Sequence, residues 1–209
     1  MTRTVVILSA PSGGGKTTIA QRLLRERPGD LGYSVSATTR PPRPGEKDGE
    51  AYYFLTRAEF ERRRAAGEFL ESAEYAGHLY GTLRSEVERV LRSDRHVVMD
   101  IEIEGARQVR AAYPWPRSIG VFILPPAVDV LLERLRARRS EAPADLARRL
   151  RRAVAELGAA AEFDYRVVND RLDDAVGEIA AIIDGRRPRQ PPTPAELKLI
   201  DELRRGLQI

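Results

Sequence analysis

The stretch ILSAPSGGGKTT, residues 7–18, constrains this chain more than any other part of its sequence. The apolar run Val5–Leu8 predicts a strand buried on both faces, and residues 16–27 predict a helix that starts at Lys16. A glycine-rich loop between such a strand and a helix matches the phosphate-loop pattern Gly-x4-Gly-Lys-Ser/Thr, with Ala10 in place of the first glycine. Its backbone N–H groups and the helix N-terminus favour bound phosphate.

Within this loop the residue types predict separate roles toward a nucleoside triphosphate. Lys16 is expected to reach the β- and γ-phosphates, and the hydroxyl of Thr17 is expected to bind Mg²⁺. The residues expected to bind the nucleotide are Ser12, Gly13, Gly14, Gly15, Lys16, Thr17 and Thr18.

The composition is that of a globular enzyme: 209 residues, of which 42% are hydrophobic and 32% are charged. The absence of cysteine excludes disulfides and thiolate metal sites, and the first apolar run is too short for a membrane span or a secretory core. The 35 basic residues are interspersed with 31 acidic ones, so we expect neither nucleic acid nor membrane as a partner. The composition therefore favours a cytoplasmic enzyme over a nucleic-acid-binding protein.

Buried strands alternate with helical segments along most of the chain. The runs HVVMDIE, SIGVFIL and YRVVN predict buried strands, and helices are expected from about Val128 and over Leu172–Ile183. This alternation predicts an α/β fold with a parallel sheet flanked by helices. Residues 32–84 interrupt it with short strands around Gly77 and with a helix opened by the capping box TRAE, which predicts a separate small lobe.

The last segment, residues 186–209, is predicted to be a proline-rich linker followed by a helix. Thr193 is expected to cap this helix, with Glu196 completing a capping box. An apolar stripe along the helix is predicted to dock on the chain's own core, and docking on a second subunit is the alternative. The stripe consists of Leu197, Ile200, Leu203 and Leu207.

Asp100 ends a buried strand, and ligands of such sheets bind at the carboxyl ends of the strands. A carboxylate oxygen is a ligand that Mg²⁺ accepts. We therefore expect Asp100 to lie near the metal ion, together with Thr17. Because Glu102 and Glu104 are close by in the sequence, a merely solvated charge is the alternative.

The small lobe carries side chains that suit a nucleoside monophosphate. Arg40 and Arg43, on a proline-rich loop, can bind phosphate oxygens in pairs, assisted by the hydroxyls of Tyr52 and Tyr80. A carboxylate can accept hydrogen bonds from the ring N–H and the amino group of guanine, whereas it repels the unprotonated ring nitrogen of adenine. The residues expected to read the base are Ser36, Glu71 and Thr82.

Seven motifs in order resemble the guanylate kinase family over about residues 4–184: APSGGGKTT, SVSATTRPPRPGE, YYF, FLESAEYAGHLYGT, MDIEIEG, FILPP and VVND. The resemblance implies the phosphate-loop nucleoside monophosphate kinase fold, with a core, an inserted GMP-binding lobe and a helical lid. It also implies ATP-dependent phosphorylation of GMP to GDP with Mg²⁺. We expect dGMP as a further acceptor, and the sequence leaves open whether the chain is a monomer or a homodimer. The implied boundaries are 1–31, 85–135 and 150–185 for the core, 32–84 for the GMP-binding lobe, 136–149 for the lid and 186–209 for the tail.

The resemblance also implies site residues. Asn169 corresponds to an adenine contact, and three lid arginines would neutralise charge on the transferring phosphoryl group. Thr17 and Thr82 stand where the family often has serine, and both keep the hydroxyl. The lid arginines are Arg134, Arg138 and Arg149, and the implied GMP-binding residues are Ser36, Arg40, Arg43, Glu46, Tyr52, Glu71, Tyr80, Thr82, Asp100 and Glu102.

The phosphate loop alone leaves open a GTPase, an ATP-driven motor and a small-molecule kinase. A GTPase would need a guanine-reading Asn-Lys-x-Asp segment late in the chain, and the sequence has none. A guanylate-kinase-like interaction module without catalysis would lack the loop lysine or the lid arginines, which this chain keeps. A kinase acting on another nucleotide or on a ribose phosphate is the remaining alternative, and Glu71, Ser36 and Thr82 argue against it.

Overall fold

A computed structural model describes residues 3–75, 77–137 and 143–207 of the chain. Arg138, one of the predicted lid arginines, lies outside the described residues. Within the described ranges, no helix combines the length and the hydropathy that crossing a membrane requires.

The predicted alternation of buried strands and helices is confirmed, and the strands form two sheets. In chain order the strands are β1 (Val5–Ser9), β2 (Leu31–Tyr33), β3 (Ser36–Thr38), β4 (Tyr53–Phe54), β5 (Phe69–Tyr75), β6 (His78–Leu83), β7 (His96–Asp100), β8 (Ser118–Leu124) and β9 (Tyr165–Val168). The larger sheet has the order β2-β7-β1-β8-β9, and in it β2 pairs with β7 and β8 with β9 in parallel. The smaller sheet has the order β4-β3-β6-β5, with β6 antiparallel to both of its neighbours.

Helices follow β1, β7, β8 and β9 of the larger sheet, as the βαβ pattern requires, whereas β2 is followed by β3 of the smaller sheet. The helix predicted over Leu172–Ile183 has those bounds, and Thr56 caps the helix predicted after TRAE by accepting a hydrogen bond from the Glu59 N–H, with Oγ1 and N 3.2 Å apart. The helices are α1 (Lys16–Glu26), α2 (Arg57–Ala65), α3 (Arg84–Arg92), α4 (Ile103–Ala112), α5 (Val128–Ala137), α6 (Pro143–Gly158), α7 (Leu172–Ile183) and α8 (Pro194–Gly206).

Strand β2 was not among the predicted strands. It spans only three residues, too few to show a hydrophobic period, and its centre is Gly32. The structure explains this glycine: a Cβ there would lie 2.5 Å from Cγ1 of Val90 on α3. The helix therefore packs against the bare backbone of the strand.

The chain divides into two compact units, which we call the first and the second unit. The first comprises the residues up to Val6 together with Arg27–Ser118, and the second comprises Ile7–Glu26 and the chain from Ile119 onward. In the first unit, the smaller sheet and α2 share a hydrophobic cluster in which the rings of Phe60 and Phe69 stack 4.2 Å apart. Residues 36–83 thus share a hydrophobic cluster of their own, while the boundaries 32–84 of the small lobe stay a prediction.

In the second unit, the C-terminal helix α8 packs on α5 and α6 of the same chain, as predicted. Thr193 and Glu196 form the predicted capping box at its start. Ile200, Leu203 and Leu207 of the predicted stripe are buried, while the side chain of Leu197 is 48% exposed. The apolar stripe is therefore one residue shorter than the sequence pattern indicates.

Ion pairs and hydrogen bonds fasten the proline-rich segment before α8. The guanidinium of Arg166 on β9 is buried and donates to the backbone oxygen of Gln190, at 2.9 Å, and to the Glu196 carboxylate, at 3.3 Å. Asp164, also buried, pairs with Arg189 at 2.9 Å. Charged hydrogen bonds of this kind require good geometry to offset the desolvation of the buried groups. The segment that leads to α8 and the first turn of α8, which carries Glu196, are consequently fixed by polar contacts. The docked face further along α8 is apolar.

We expect Leu203→Ala to lower the free energy of unfolding by about 2–5 kcal/mol, because it leaves a cavity between α8 and its neighbours. Leu197→Ala on the same helix is the control and should change it by no more than about 0.5 kcal/mol, since that side chain is half exposed. Urea denaturation of both variants measures the difference. Equal losses would contradict the assigned docking face.

Candidate active site

The loop between β1 and α1 has the backbone that its glycines predict. Gly13 and Gly15 have φ values of +84° and +90°, in the left-handed region that residues with a Cβ rarely adopt. The N–H of Gly14 donates to the backbone oxygen of Pro11 at 2.8 Å, which closes a tight turn inside the loop. Lys16 is the first residue of α1, so the loop ends at a helix N-terminus, where anions are favoured.

Two buried side chains from distant parts of the second unit hold this loop in place. Asn169 is the residue directly after β9, and its side-chain amide donates from Nδ2 to the backbone oxygen of Gly14, at 3.0 Å. The Glu156 carboxylate on α6 accepts from the N–H of Ser12, with Oε2 and N 2.9 Å apart. A Cβ on Gly15 would lie 2.4 Å from the same Asn169 amide nitrogen, so this position has no room for a side chain. Glu156 was not among the predicted site residues.

Arg134 of α5 stands beside the loop with part of its hydrogen-bonding capacity unused. Its Nη2 donates to the backbone oxygen of Asn169 at 3.2 Å, whereas its buried Nη1 has no hydrogen-bond partner among the described residues. A buried charged donor without an acceptor is costly, and an anionic oxygen satisfies it. Arg134 lines a cavity of about 440 Å³ together with Gly13, Gly15, Thr18, Asn169, Asp170 and Leu172.

The cavity brings together five residues that were predicted from the sequence: Gly13, Gly15, Thr18, Arg134 and Asn169. Asp170 and Leu172 were not predicted, since neither carries a pattern that the sequence distinguishes from a helix start. Of the remaining predicted residues, Thr17 is exposed in the first turn of α1, Lys16 is half-buried, and Arg149 is half-buried on α6.

In the first unit, the three predicted base-reading residues meet on neighbouring strands of the smaller sheet. Ser36 on β3 is paired with Thr82 on β6, and Thr82 is paired in turn with Glu71 on β5. The Thr82 hydroxyl donates to the Glu71 carboxylate, with Oγ1 and Oε1 2.7 Å apart, and both side chains are buried. A buried, fixed carboxylate can discriminate between bases, because an unsuitable base would leave its oxygens unsatisfied.

Helix α4 shapes the surroundings of Glu71, and the sequence did not indicate this. A Cβ on Gly105 would lie 2.6 Å from Oε2 of Glu71, so the glycine leaves space for the carboxylate. Gln108, one turn further along, accepts from the N–H of Ser72 at 3.1 Å and donates to the oxygen of Ser72 at 3.2 Å. The two bonds fix α4 against β5 right beside Glu71. A glycine and a glutamine inside a helix carry no signal for this role when only the sequence is known.

Of the predicted phosphate-binding residues, Arg40, Tyr52 and Tyr80 lie side by side, whereas the side chain of Arg43 does not join them. The Arg40 guanidinium donates from Nη2 to both carboxylate oxygens of Glu46, each at 2.9 Å, and lies 5.4 Å from the ring centre of Tyr52. The rings of Tyr52 and Tyr80 meet edge-on, 6.0 Å apart. The Arg43 side chain is exposed, while its backbone N–H donates to Glu46 at 2.7 Å.

Glu46 is therefore a partner of the arginine loop. The backbone N–H of Arg43, together with the Arg40 guanidinium, lowers the pKa of Glu46 below its ordinary value, against the opposing effect of desolvation. The ionised carboxylate is thereby favoured, and in that form it accepts the hydrogen bonds from Arg40.

Asp100 is the last residue of β7, and Glu102 stands just before α4 as its N-cap residue. Both are half-buried in the first unit. Tyr33 on the adjacent strand β2 was not predicted. Burial, followed by the negative charge of Asp100 and then by Tyr52, raises the pKa of the Tyr33 phenol above its ordinary value. That phenol therefore keeps its proton and can act as a hydrogen-bond donor at neutral pH.

Comparisons with known proteins agree with the motifs. A family model described as guanylate kinase matches residues 2–186. The guanylate kinase of Synechococcus sp. is 51% identical over 179 residues, 86% of this chain and 96% of the relative, and that of Nostoc sp. is 49% identical over 181 residues, 87% and 89%. The chain belongs to the guanylate kinase family. The crystal structure of guanylate kinase from Anaplasma phagocytophilum superposes with a TM-score of 0.71 at 28% identity, covering 96% of this chain and 94% of that one.

The family membership confirms the resemblance and the predicted α/β fold with a mostly parallel sheet flanked by helices. The chain is accordingly a kinase, and ATP is its co-substrate. The family model ends at residue 186, so the segment that carries α8 lies beyond the matched region. The roles of individual residues remain predictions and are taken up under the proposed function.

Asn169→Ala should weaken ATP binding about 10- to 100-fold, because the Gly14 carbonyl loses its donor and the loop loosens. Asn169→Asp should weaken it more, since the nearly isosteric carboxylate sets an acceptor against that carbonyl and adds negative charge beside the loop. Isothermal titration of each variant with ATP measures both effects. An Asp variant that binds ATP as tightly as the unmodified chain would contradict the role of the amide as a donor to the loop.

Proposed function

We propose that the two sites catalyse the ATP-dependent phosphorylation of GMP to GDP, the reaction of the guanylate kinase family, with the second unit binding ATP and the first unit binding GMP. In the second unit the loop amides and Lys16 bind the donor phosphates. The cavity beside the loop receives the rest of ATP, where Asn169 is the proposed adenine contact.

Charge neutralisation on the donor side falls to arginines. The buried Nη1 of Arg134 has no hydrogen-bond partner among the described residues. We propose that it donates to an oxygen of the transferring phosphoryl group, whose negative charge needs positively charged donors. Arg149 on α6, and Arg138 outside the described residues, are proposed to assist it. The nucleophile is an oxygen of the GMP phosphate, which is already deprotonated at neutral pH. No side chain is therefore needed as a general base, and catalysis rests on positioning and electrostatics.

The acceptor site reads the base with Glu71, Thr82 and Ser36. The Thr82 hydroxyl donates to one oxygen of the Glu71 carboxylate and fixes it on β5. An ionised carboxylate accepts several hydrogen bonds, and we propose that the ring N–H and the amino group of guanine donate to this one. The observation that carries the identity of the acceptor is this buried carboxylate, since it would repel the unprotonated ring nitrogen of adenine.

The acceptor phosphate is bound by Arg40, Arg43, Tyr52 and Tyr80, with Glu46 as the residue that holds Arg40 in place. Asp100 and Glu102 complete the acceptor site at the start of α4. We propose dGMP as a second acceptor. The proposed setting is the cytoplasm, with small-molecule substrates only and the chain acting as a monomer or a homodimer.

Mg²⁺ is the proposed metal ion. The described residues contain no group of three or more His, Asp or Glu side chains that could hold a metal ion by themselves. Mg²⁺ takes one or two protein oxygens and is otherwise bound by substrate phosphates and water. The hydroxyl of Thr17 and the carboxylate of Asp100 are oxygen donors of that kind. When bound, the ion would neutralise charge on the phosphates.

The direct test is the release of ADP from ATP when GMP, AMP, UMP, CMP and ribose 5-phosphate are offered in turn. We expect turnover with GMP, and its loss in Lys16→Ala while the folded state is preserved, because the donor phosphates lose their main charged partner. Circular dichroism of the variant serves as the folding control. Faster turnover with another acceptor, or full activity of the Lys16 variant, would refute the proposed function.

Glu71→Ala should raise the KM for GMP about 10- to 100-fold and leave the KM for ATP within about twofold, because only the base loses a charged partner. Gly105→Ala should act in the same direction, since its Cβ would displace the Glu71 carboxylate. Glu74→Ala is the matched control, because Glu74 lies on the same strand with its side chain 56% exposed. Steady-state kinetics, with GMP and ATP varied in turn, measures both KM values. If a variant raises the KM for ATP as much as the KM for GMP, the assignment of Glu71 to the base is wrong.

A further inference from the structure

Glu156 is a buried carboxylate with a partner far away in the sequence. It lies in the last turn of α6 with a side chain only 7% exposed, and its Oε2 accepts from the N–H of Ser12, 144 residues away, at 2.9 Å. Its Oε1 accepts from Nε of Arg152, at 2.8 Å, which offsets the negative charge. Burying a carboxylate is unfavourable unless such bonds compensate, and these two contacts offset part of that cost.

The partner amide belongs to a loop whose function is to bind anions. A carboxylate next to this loop repels phosphate unless its charge is compensated, and Arg152 supplies the compensation within the same helix. The bond to Ser12 joins two others: Gly14 N–H to Pro11 O, and Asn169 Nδ2 to Gly14 O. Together these bonds fix the backbone on the β1 side of the loop, ahead of the helix N-terminus where the phosphates are proposed to bind.

The same helix carries Arg149, seven residues before Glu156. Residues seven apart lie on the same face of a helix, two turns away from each other. A rotation or shift of α6 that moves Arg149 therefore also moves the carboxylate that holds Ser12. Ala153 and Leu157 of α6 are fully buried, so the helix keeps its apolar anchorage whatever residue stands at 156.

We propose that Glu156 is a positioning residue for phosphoryl transfer: by accepting the Ser12 amide hydrogen it sets the conformation of the phosphate loop and ties Arg149 of α6 to the donor phosphates. The proposal rests on the proposed function for the identity of the reaction, and on the two hydrogen bonds of the carboxylate for its mechanism. An acidic side chain would by itself repel an anionic substrate. In this proposal Glu156 instead supports ATP binding, because it fixes the loop that binds the phosphates.

The test compares Glu156→Ala with Glu156→Gln. The alanine variant should raise the KM and the Kd for ATP and lower kcat, by about 10- to 100-fold in kcat/KM for ATP, with the KM for GMP within about twofold of the unmodified chain. The glutamine variant keeps an oxygen that accepts from Ser12 and should lie within about fivefold of the unmodified chain. Glu178→Ala is the matched control, because that carboxylate also pairs with an arginine, Arg187, in the second unit but lies on α7.

Three results would overturn the proposal. They are an alanine variant with unchanged ATP parameters, an alanine variant that raises the KM of both substrates equally, and a glutamine variant as impaired as the alanine one. If Glu156→Ala does not fold, Glu156→Asp replaces it, since the shorter side chain keeps the charge but cannot keep the 2.9 Å bond, and the same loss of ATP binding is expected.

The two proposals fail in different ways. An unmodified chain that does not phosphorylate GMP refutes the proposed function, and titration of the Glu156 variants with ATP then still decides whether the residue positions the loop. An active unmodified chain with unaffected variants refutes only the positioning role.

Discussion

The backbone polar groups of the phosphate loop have two different tasks: some N–H groups bind the anion, and the other polar groups form hydrogen bonds within the protein. Amides that are to bind an anion must stay available, so the other groups of the loop need partners inside the protein. Gly14 bonds through its N–H to Pro11 and through its oxygen to Asn169, while the N–H of Ser12 bonds to Glu156. The ends of β9 and α6 therefore have to meet at this loop, and the arrangement of the second unit follows from that requirement.

The proposed acceptor site follows a different principle, in which a buried charge is the proposed source of specificity. Glu71 is satisfied by Thr82 on one oxygen, and Gly105 leaves space around the other. Gln108 then locks α4 to the strand that carries Glu71. A carboxylate held this tightly cannot turn away from an unsuitable base, so the cost of mismatch is the full loss of its hydrogen bonds.

The segment beyond residue 186 is held on the second unit by buried charged residues and by the packing of α8. Arg166 and Asp164, both buried, bind the proline-rich stretch, and the helix that follows packs on α5 and α6, which carry Arg134 and Arg149. Gly206 lies so close to α5 that a Cβ there would be 2.7 Å from the side chain of Val128. The tail is thus part of the packing that holds the arginine-bearing helices of the second unit.

The sequence by itself determined the phosphate loop, the alternation of buried strands and helices, the cap of α8 and many residues of the two proposed sites, because these depend on local patterns such as a glycine run, an apolar period or a capping box. Only the tertiary structure decided that Glu156, Gly105 and Gln108 lie against residues of the proposed sites and that β2 joins the larger sheet. These three residues and this strand make contacts with segments that are distant in the chain. Such contacts produce no repeating pattern in a single sequence, so they cannot be predicted from it. A glutamate near the end of a helix looks solvated until the fold brings a loop amide to it.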